Sequence, residues 1–169
     1  VVDMLRHVGR FARKTVSFVD GPDVLVLANP QEIKQVVLNL LVNALDSIDE
    51  DGEVVLTVSR DGDEAKLVLT DNGCGMNEEV LKNLFEPFFT SRPSKKGTGL
   101  GLSIVHRIVA DHEGRIEVVS DGPARGATFC VTLPVITVES QSTRGSGASA
   151  VAEKRKLDYG EEKNVDHAA

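Results

Sequence analysis

Asn39 and Asn43 lie four residues apart, and the polar positions around them, Glu32, Gln35 and Asp46, keep the same spacing of three or four. That spacing sets all five on one flank of a helix. Taken singly, each reads as a solvated helix residue. Asparagine is nonetheless a poor helix former for a merely wet surface, and two neutral amide oxygens on successive turns suit a hard cation. Magnesium carried by a nucleotide is the natural guest.

A second group follows a strand-like run: Thr70-Asp71-Asn72-Gly73-Cys74-Gly75-Met76. Alone, Asp-x-Gly-x-Gly is an ordinary turn signature. Its functional reading is sharper. A buried Asp71 accepts a hydrogen bond from the exocyclic amine of adenine, whereas guanine presents an oxygen there and leaves two acceptors facing each other.

The third group, Gly97-Thr98-Gly99-Leu100-Gly101-Leu102-Ser103-Ile104-Val105, runs alternate glycines into an amphipathic helix. Such glycines let backbone approach phosphates, and the helix start supplies free N–H groups and a positive dipole end. The Gly-Lys-Ser/Thr ending of a Walker loop is missing and no strand precedes the run, so neither that loop nor a dinucleotide fingerprint fits. Between the second and third groups lie Leu84-Phe85-Glu86-Pro87-Phe88-Phe89-Thr90-Ser91-Arg92 and the basic Pro93-Ser94-Lys95-Lys96. Core packing is expected of Phe85 and Phe88, and the whole segment has the composition of a hinged lid from which Arg92, Lys95 or Lys96 reaches phosphate.

These groups need a scaffold. Asn29-Pro30-Gln31-Glu32 predicts a helix start, with Asn29 as N-cap, Pro30 in the first turn and Glu32 reaching back to the cap. Ile33, Val36, Val37, Leu40, Leu41, Ala44, Leu45 and Ile48 then form one apolar stripe, which Asp51-Gly52 ends. Val54 to Ser59 and Ala65 to Thr70 alternate about Arg60-Asp61-Gly62-Asp63 and predict an antiparallel hairpin. Val24 to Ala28, Arg115 to Ser120 and Ala127 to Leu133 are further expected strands, and Asn77 to Asn83 and Leu100 to His112 further helices. The fold class expected is α+β: a two-layer α/β sandwich with a mixed, mostly antiparallel sheet covered by three helices.

The chain has 169 residues and a formal charge of -7, enough for one domain and unsuited to holding nucleic acid on a broad basic surface. Cys74 and Cys130 stand apart without nearby His pairs, which supports neither zinc nor a disulfide framework, and both are expected to pack as small apolar residues. No apolar run reaches membrane-spanning length and no secretory pattern opens the sequence, so a cytoplasmic setting is expected. A chain opening on Val1 reads as a piece whose upstream part is elsewhere. Residues 1–138 are expected to form the folded unit, and 139–169, rich in Ser, Gly, Ala and charge, a disordered tail or linker.

In order, these segments resemble the N, G1, F and G2 boxes of the histidine kinase ATP-binding domain, in the superfamily that includes gyrase, the ninety-kilodalton heat-shock chaperone and mismatch-repair ATPases. Gly126-Ala127-Thr128-Phe129 resembles the last box, G3. The resemblance implies the Bergerat-type fold, with ATP and Mg2+ as ligands. It implies that Asn43, assisted by Asn39, holds the metal, that Asp71 binds the adenine amine, and that Gly73 and Gly75 shape that pocket. Gly97, Gly99 and Gly101, with Thr98, Leu100 and Leu102 between and after them, would frame the lid and phosphates, and Lys96 and Arg92 occupy places where the lid is often basic. Thr128 resembles the threonine that supports adenine through water.

Hydrolytic relatives carry a glutamate where Asn39 stands, and an amide is no general base. Transfer to a nucleophile on another domain is therefore implied, by positioning and charge neutralisation. The implied partners are a histidine-bearing dimerisation domain and, after it, the receiver domain of a response regulator. His7, His106, His112 and His167 all lack the His-Glu/Asp-x-x-x-Pro setting of the phosphoacceptor. Asp46, where many kinases have lysine, resembles the nitrogen-regulation type; it either contacts the hydrated metal or is solvated. A serine kinase of the anti-sigma-factor type, or a silent nucleotide-binding module, is the competing reading.

Overall fold

A computed structural model describes residues 13–19, 21–90 and 98–136 of the chain. Helix α1, Pro30–Ser47, starts where the sequence places it: Asn29 is extended, its Oδ1 accepts the Gln31 N–H at 3.0 Å, and Pro30 fills a first-turn position that needs no donor. Glu32, however, does not close the expected box. The Asn29 N–H is donated instead to Nε2 of His112 at 3.0 Å, and the Glu32 carboxylate lies 3.6 Å from that same nitrogen. The N–H faces the end of a neighbouring helix, so a tertiary acceptor takes the place of the local one.

The hairpin is longer than its alternating core. Strands β2, Glu53–Asp61, and β3, Glu64–Asp71, pair from Val54↔Asp71 to Asp61↔Glu64, and Gly62 turns between them with φ 59°. That is the conformation a type II′ turn asks of its first central residue. Strand β4, Arg115–Val119, and β5, Ala127–Pro134, complete the antiparallel part. The fifth strand is not Val24 to Ala28. It is β1, Thr15–Val19, which runs parallel to β2, giving the sheet order β1-β2-β3-β5-β4. Val24 to Ala28 makes only a bridge from Val26 to Val135, because Pro134, which would face Leu27, has no N–H to extend a ladder. Leu25 and Leu27 accordingly remain exposed.

Helix α2, Glu78–Asn83, is capped by Asn77, whose side chain accepts the Val80 N–H, and α3 spans Gly101–Asp111. The core lies between one face of the sheet and helices α1 and α3. The α1 stripe buries Val36, Leu40, Leu41, Ala44, Leu45 and, just past its end, Ile48, with Ile33 and Val37 packed at its edge. Val105, Ile108 and Val109 come from α3, and Val54, Leu56, Leu69, Phe129, Val131 and Leu133 from the sheet. Phe85 joins this cluster partly buried, its ring centroid 5.2 Å from that of His106. Phe88 does not. Its φ is 66° and its N–H is held by the Gly99 carbonyl, which turns the side chain outward to 75 % exposure. Cys74 is likewise exposed rather than packed. No helix among the described residues is long and apolar enough to cross a membrane.

On the outer face, Arg115 of β4 reaches over β5 to Glu64 of β3 in a two-pronged pair at 2.5 and 2.8 Å. Thr132 sits beneath, in register with both Arg115 and Lys66, which accounts for its burial on an otherwise open face. The Arg115 hydrogen bonds hold the Glu64 carboxyl below its usual range. A carboxyl depressed in the folded state leaves the unfolded chain binding more protons in acid, so its contribution is present above the ordinary carboxylate range and lost as pH falls through the folded value. The urea midpoints of wild type and Glu64→Gln are expected to differ most at neutral pH and to converge in acid; a gap independent of pH would count against the pair.

Candidate functional site

Asp71 ends β3 pointing into the helix layer, and it is a charged residue only 5 % exposed. Burial of a carboxylate demands partners. Its Oδ1 accepts the Gly73 N–H at 2.9 Å and the Ser47 hydroxyl at 3.0 Å. Ser47 also lies 2.7 Å from the Ala44 carbonyl, and with one proton it serves one acceptor at a time. Oδ2 has no protein partner among the described residues and is not sealed from solvent. The carboxylate therefore presents one oxygen to a ligand while the other is held.

The loop after Asp71 is clamped from two sides. Cys74 donates its N–H to the Ser47 carbonyl at the end of α1, while Ala124 and Gly126, between β4 and β5, donate theirs to the Cys74 and Gly73 carbonyls at 2.7 and 3.1 Å. Ser120 ties the same two segments by accepting the Met76 N–H and donating to the Gly126 carbonyl at 2.6 Å. The backbones meet with no room for a side chain: a Cβ on Gly126 would stand 2.0 Å from the Asp71 carbonyl oxygen, and one on Gly75 2.1 Å from that of Gly122.

Opposite this pocket, α3 begins beside α1. The Asn39 amide lies 3.4 Å from the Gly101 carbonyl, and a Cβ on Gly101 would meet Asn43 Nδ2 and Asn39 Cγ at 3.8 and 3.9 Å. Leu100 is the N-cap, no side chain caps the helix and its first turn carries no acid, so the N–H groups there are available to an anion. Gly99, at φ 68°, is pressed against the Phe88 backbone, which fixes the approach to α3. Thr98 is exposed just before it, and Leu102 is half-buried in the first turn. Asp46 is half-buried on the flank that carries Asn39 and Asn43.

Among the sequence-derived residues, Asp71, Gly73 and Gly75 thus gather at the end of α1, and Asn39, Asn43, Gly99, Leu100 and Gly101 where α1 meets the start of α3. Thr128 does not join them. It pairs with Thr70 across the ladder, their hydroxyls 3.1 Å apart, whereas Asp71 pairs with Ala127. Successive strand residues face opposite sides, so Thr128 is on the sheet face away from Asp71, and Ala127 is the residue beside that carboxylate. Arg92, Lys96 and Gly97 lie outside the described residues. Ser47 and Ser120 were missed by sequence reasoning; for Ser47 the signal was its place one turn beyond Asn43 on the same flank, and for Ser120 there was none.

Residues 28–137 match the family model described as histidine kinase-, DNA gyrase B- and HSP90-like ATPase. The chain belongs to this family. Among curated relatives, the sensor histidine kinase ZraS of Escherichia coli strain K12 is 41 % identical over 110 residues, 65 % of this chain and 23 % of its own length. Sporulation kinase E of Bacillus subtilis strain 168 is 39 % identical over 111 residues, 65 % of this chain and 15 % of its own. The chain thus spans less than a quarter of these relatives. Among solved structures, the mycobacterial sensor histidine kinase MprB superposes with a TM-score of 0.72 at 28 % identity, covering 79 % of this chain and 90 % of that one. Full-length ShkA, solved in complex with AMPPNP, gives 0.69 at 30 % identity, covering 81 % of this chain and 29 % of that one. The α+β layering is that of histidine kinase-like ATPases.

In such a domain the contact between Gly126 and Asp71 holds the pocket shut from behind. Gly126→Ala adds a Cβ against a carbonyl at φ 68° and is expected to cost at least about 2 kcal/mol in urea unfolding. A change within a few tenths would show that the two backbones can separate without loss.

Proposed function

We propose that the chain is the ATP-binding catalytic part of a sensor histidine kinase, which delivers the γ-phosphoryl group to a histidine on a separate dimerisation domain. The observation that carries the reading is one flank of α1 that joins both parts: Ser47 holds one oxygen of the half-committed Asp71 carboxylate, and Asn43 and Asn39 stand beside the uncapped start of α3. Asp71 Oδ2 accepts the adenine amine, and the first-turn N–H groups of α3 take phosphate oxygens. The donor set fits magnesium that arrives with the nucleotide. Asn43 and Asn39 stand beside the start of α3, where rotation of their amides brings neutral oxygens to a cation, and no three His, Cys, Asp or Glu residues cluster to hold a metal among the described residues. When bound, that ion supplies charge neutralisation of the phosphates. Asp46, on the same flank, is assigned to its hydration shell, as in the nitrogen-regulation type.

Asn39 cannot take a proton from water at neutral pH, so the chain's own residues favour transfer over hydrolysis. We assign residues 1–138 to the catalytic domain and 139–169 to a linker or tail, on the support of the last strand ending at Pro134 and the change of composition beyond Val138. The setting is cytoplasmic and the downstream partner a receiver domain, as the kinase chemistry of the named relatives suggests.

Calorimetric titration of AMPPNP with magnesium tests the reading. Wild type is expected to bind the adenine analogue and not its guanine counterpart, and Asp71→Asn, which puts an NH2 or a weaker acceptor at the amine, is expected to lose at least tenfold, about 1.4 kcal/mol. Equal binding of both bases, or none by a folded wild type, sinks it. Gly101→Ala is expected to fold normally, since its Cβ meets only ordinary contacts, and yet to bind magnesium-AMPPNP several-fold more weakly by filling space beside Asn39 and Asn43. Unchanged affinity would move the metal elsewhere.

A further inference from the structure

His112, just past the end of α3, is a histidine without a role in the site above, and its side chain is only 10 % exposed. Both ring nitrogens are engaged. Nε2 accepts the Asn29 N–H at 3.0 Å, which requires the proton to be on Nδ1, and Nδ1 is 2.8 Å from the Ile108 carbonyl that accepts it. Asn29 is the N-cap of α1 and Ile108 lies in the last turn of α3. One imidazole therefore bridges the first residue of one helix and the last turn of the other.

Those two helices run antiparallel, because Asn29 meets His112 at one end and Asn39 meets Gly101 at the other. Ten or eleven residues separate the two meeting points on each helix, about 15 Å. We propose that His112 is a positioning residue for the nucleotide site: by pinning the far ends of α1 and α3 it sets the separation of Asn39 and Asn43 from the start of α3. The inference rests on the nucleotide reading for its consequence and on the helix pair alone for its geometry. The bond is also specific in sense. An imidazolium would set a second donor against the Asn29 N–H, and Glu32 of α1, 3.6 Å away, is the carboxylate it would turn to; Arg107 and Asp111 of α3 pair with each other at 3.8 Å.

Two near-isosteric substitutions separate this from packing. His112→Gln places an amide oxygen where Nε2 was and keeps the acceptor, while His112→Asn reaches only the Nδ1 position. In the ligand-free protein, the side-chain amide resonances of Asn39 and Asn43 and the Gly101 N–H are expected to shift in His112→Asn and to stay in His112→Gln. Magnesium-AMPPNP affinity is expected to fall about fivefold or more in the first and less than twofold in the second, with thermal midpoints that do not follow this split. Should His112→Asn fail to fold, His112→Ser, which also removes the bridge but leaves a smaller side chain, takes its place in both readouts. Resonances at Asn39, Asn43 and Gly101 that ignore the loss of the bridge would overturn the proposal, whether or not nucleotide binds. Moving resonances without nucleotide affinity would instead count against the function assigned above.

Discussion

A carboxylate buried at the meeting of α1, β3 and the β4–β5 connection is the constraint around which this domain is arranged. An unpartnered charge there would cost several kcal/mol, and it is tolerated because Gly73 and Ser47 bond one oxygen while the other remains open. Those two donors come from different elements, so holding Asp71 also fixes the end of α1 against the loop after β3. The second clamp, from Gly126 and Ala124, then closes only if no side chain intrudes. Fold and pocket are thus one set of contacts.

The same economy governs α1. Its apolar stripe builds the core while its flank carries Asn39, Asn43 and Ser47 toward the site, so rotation of the helix about its axis would expose leucines as it withdrew the amides. Lys14 reinforces the far end by donating its ammonium to the Leu45 and Ile48 carbonyls, where a cation suits the negative end of the helix dipole. The near end is held by Asn29 and His112. Both termini of the helix that carries Asn39 and Asn43 are therefore fixed by contacts from outside it.

Much of this was legible in the sequence because it is local. Periodicity of α1, its Asn29-Pro30 start, the β2–β3 hairpin about Gly62 and the glycine-rich entry to α3 all follow from spacing and backbone preference. What was not legible depended on long-range pairing. Val24 to Ala28 reads as a strand and yet makes a single bridge, while Thr15 to Val19 pairs with β2, because edge strands are chosen by the partner available and not by an apolar run alone. Thr128 was misplaced for a related reason: a one-residue step along a strand reverses the face, so Ala127 and not Thr128 stands beside Asp71. Glu32 was displaced from the cap by an imidazole 83 residues along the chain from Asn29, and no local rule contains that.

The glycines show where fold ends and function begins. Gly126 is required by the fold itself, since both its φ of 68° and the 2.0 Å approach of its would-be Cβ to Asp71 exclude any side chain. Gly101 is required by neither. Its backbone is helical, and a Cβ there would find Asn43 and Asn39 at ordinary contact distance. Alanine loses less backbone freedom on folding than glycine, so the fold alone gives no reason to exclude it there. A glycine at the first turn, beside two amides, leaves a space there that a side chain would fill. With uncapped N–H groups on one side and the Asn39 and Asn43 amides on the other, that space has the chemistry the proposed function requires for a phosphate and its cation.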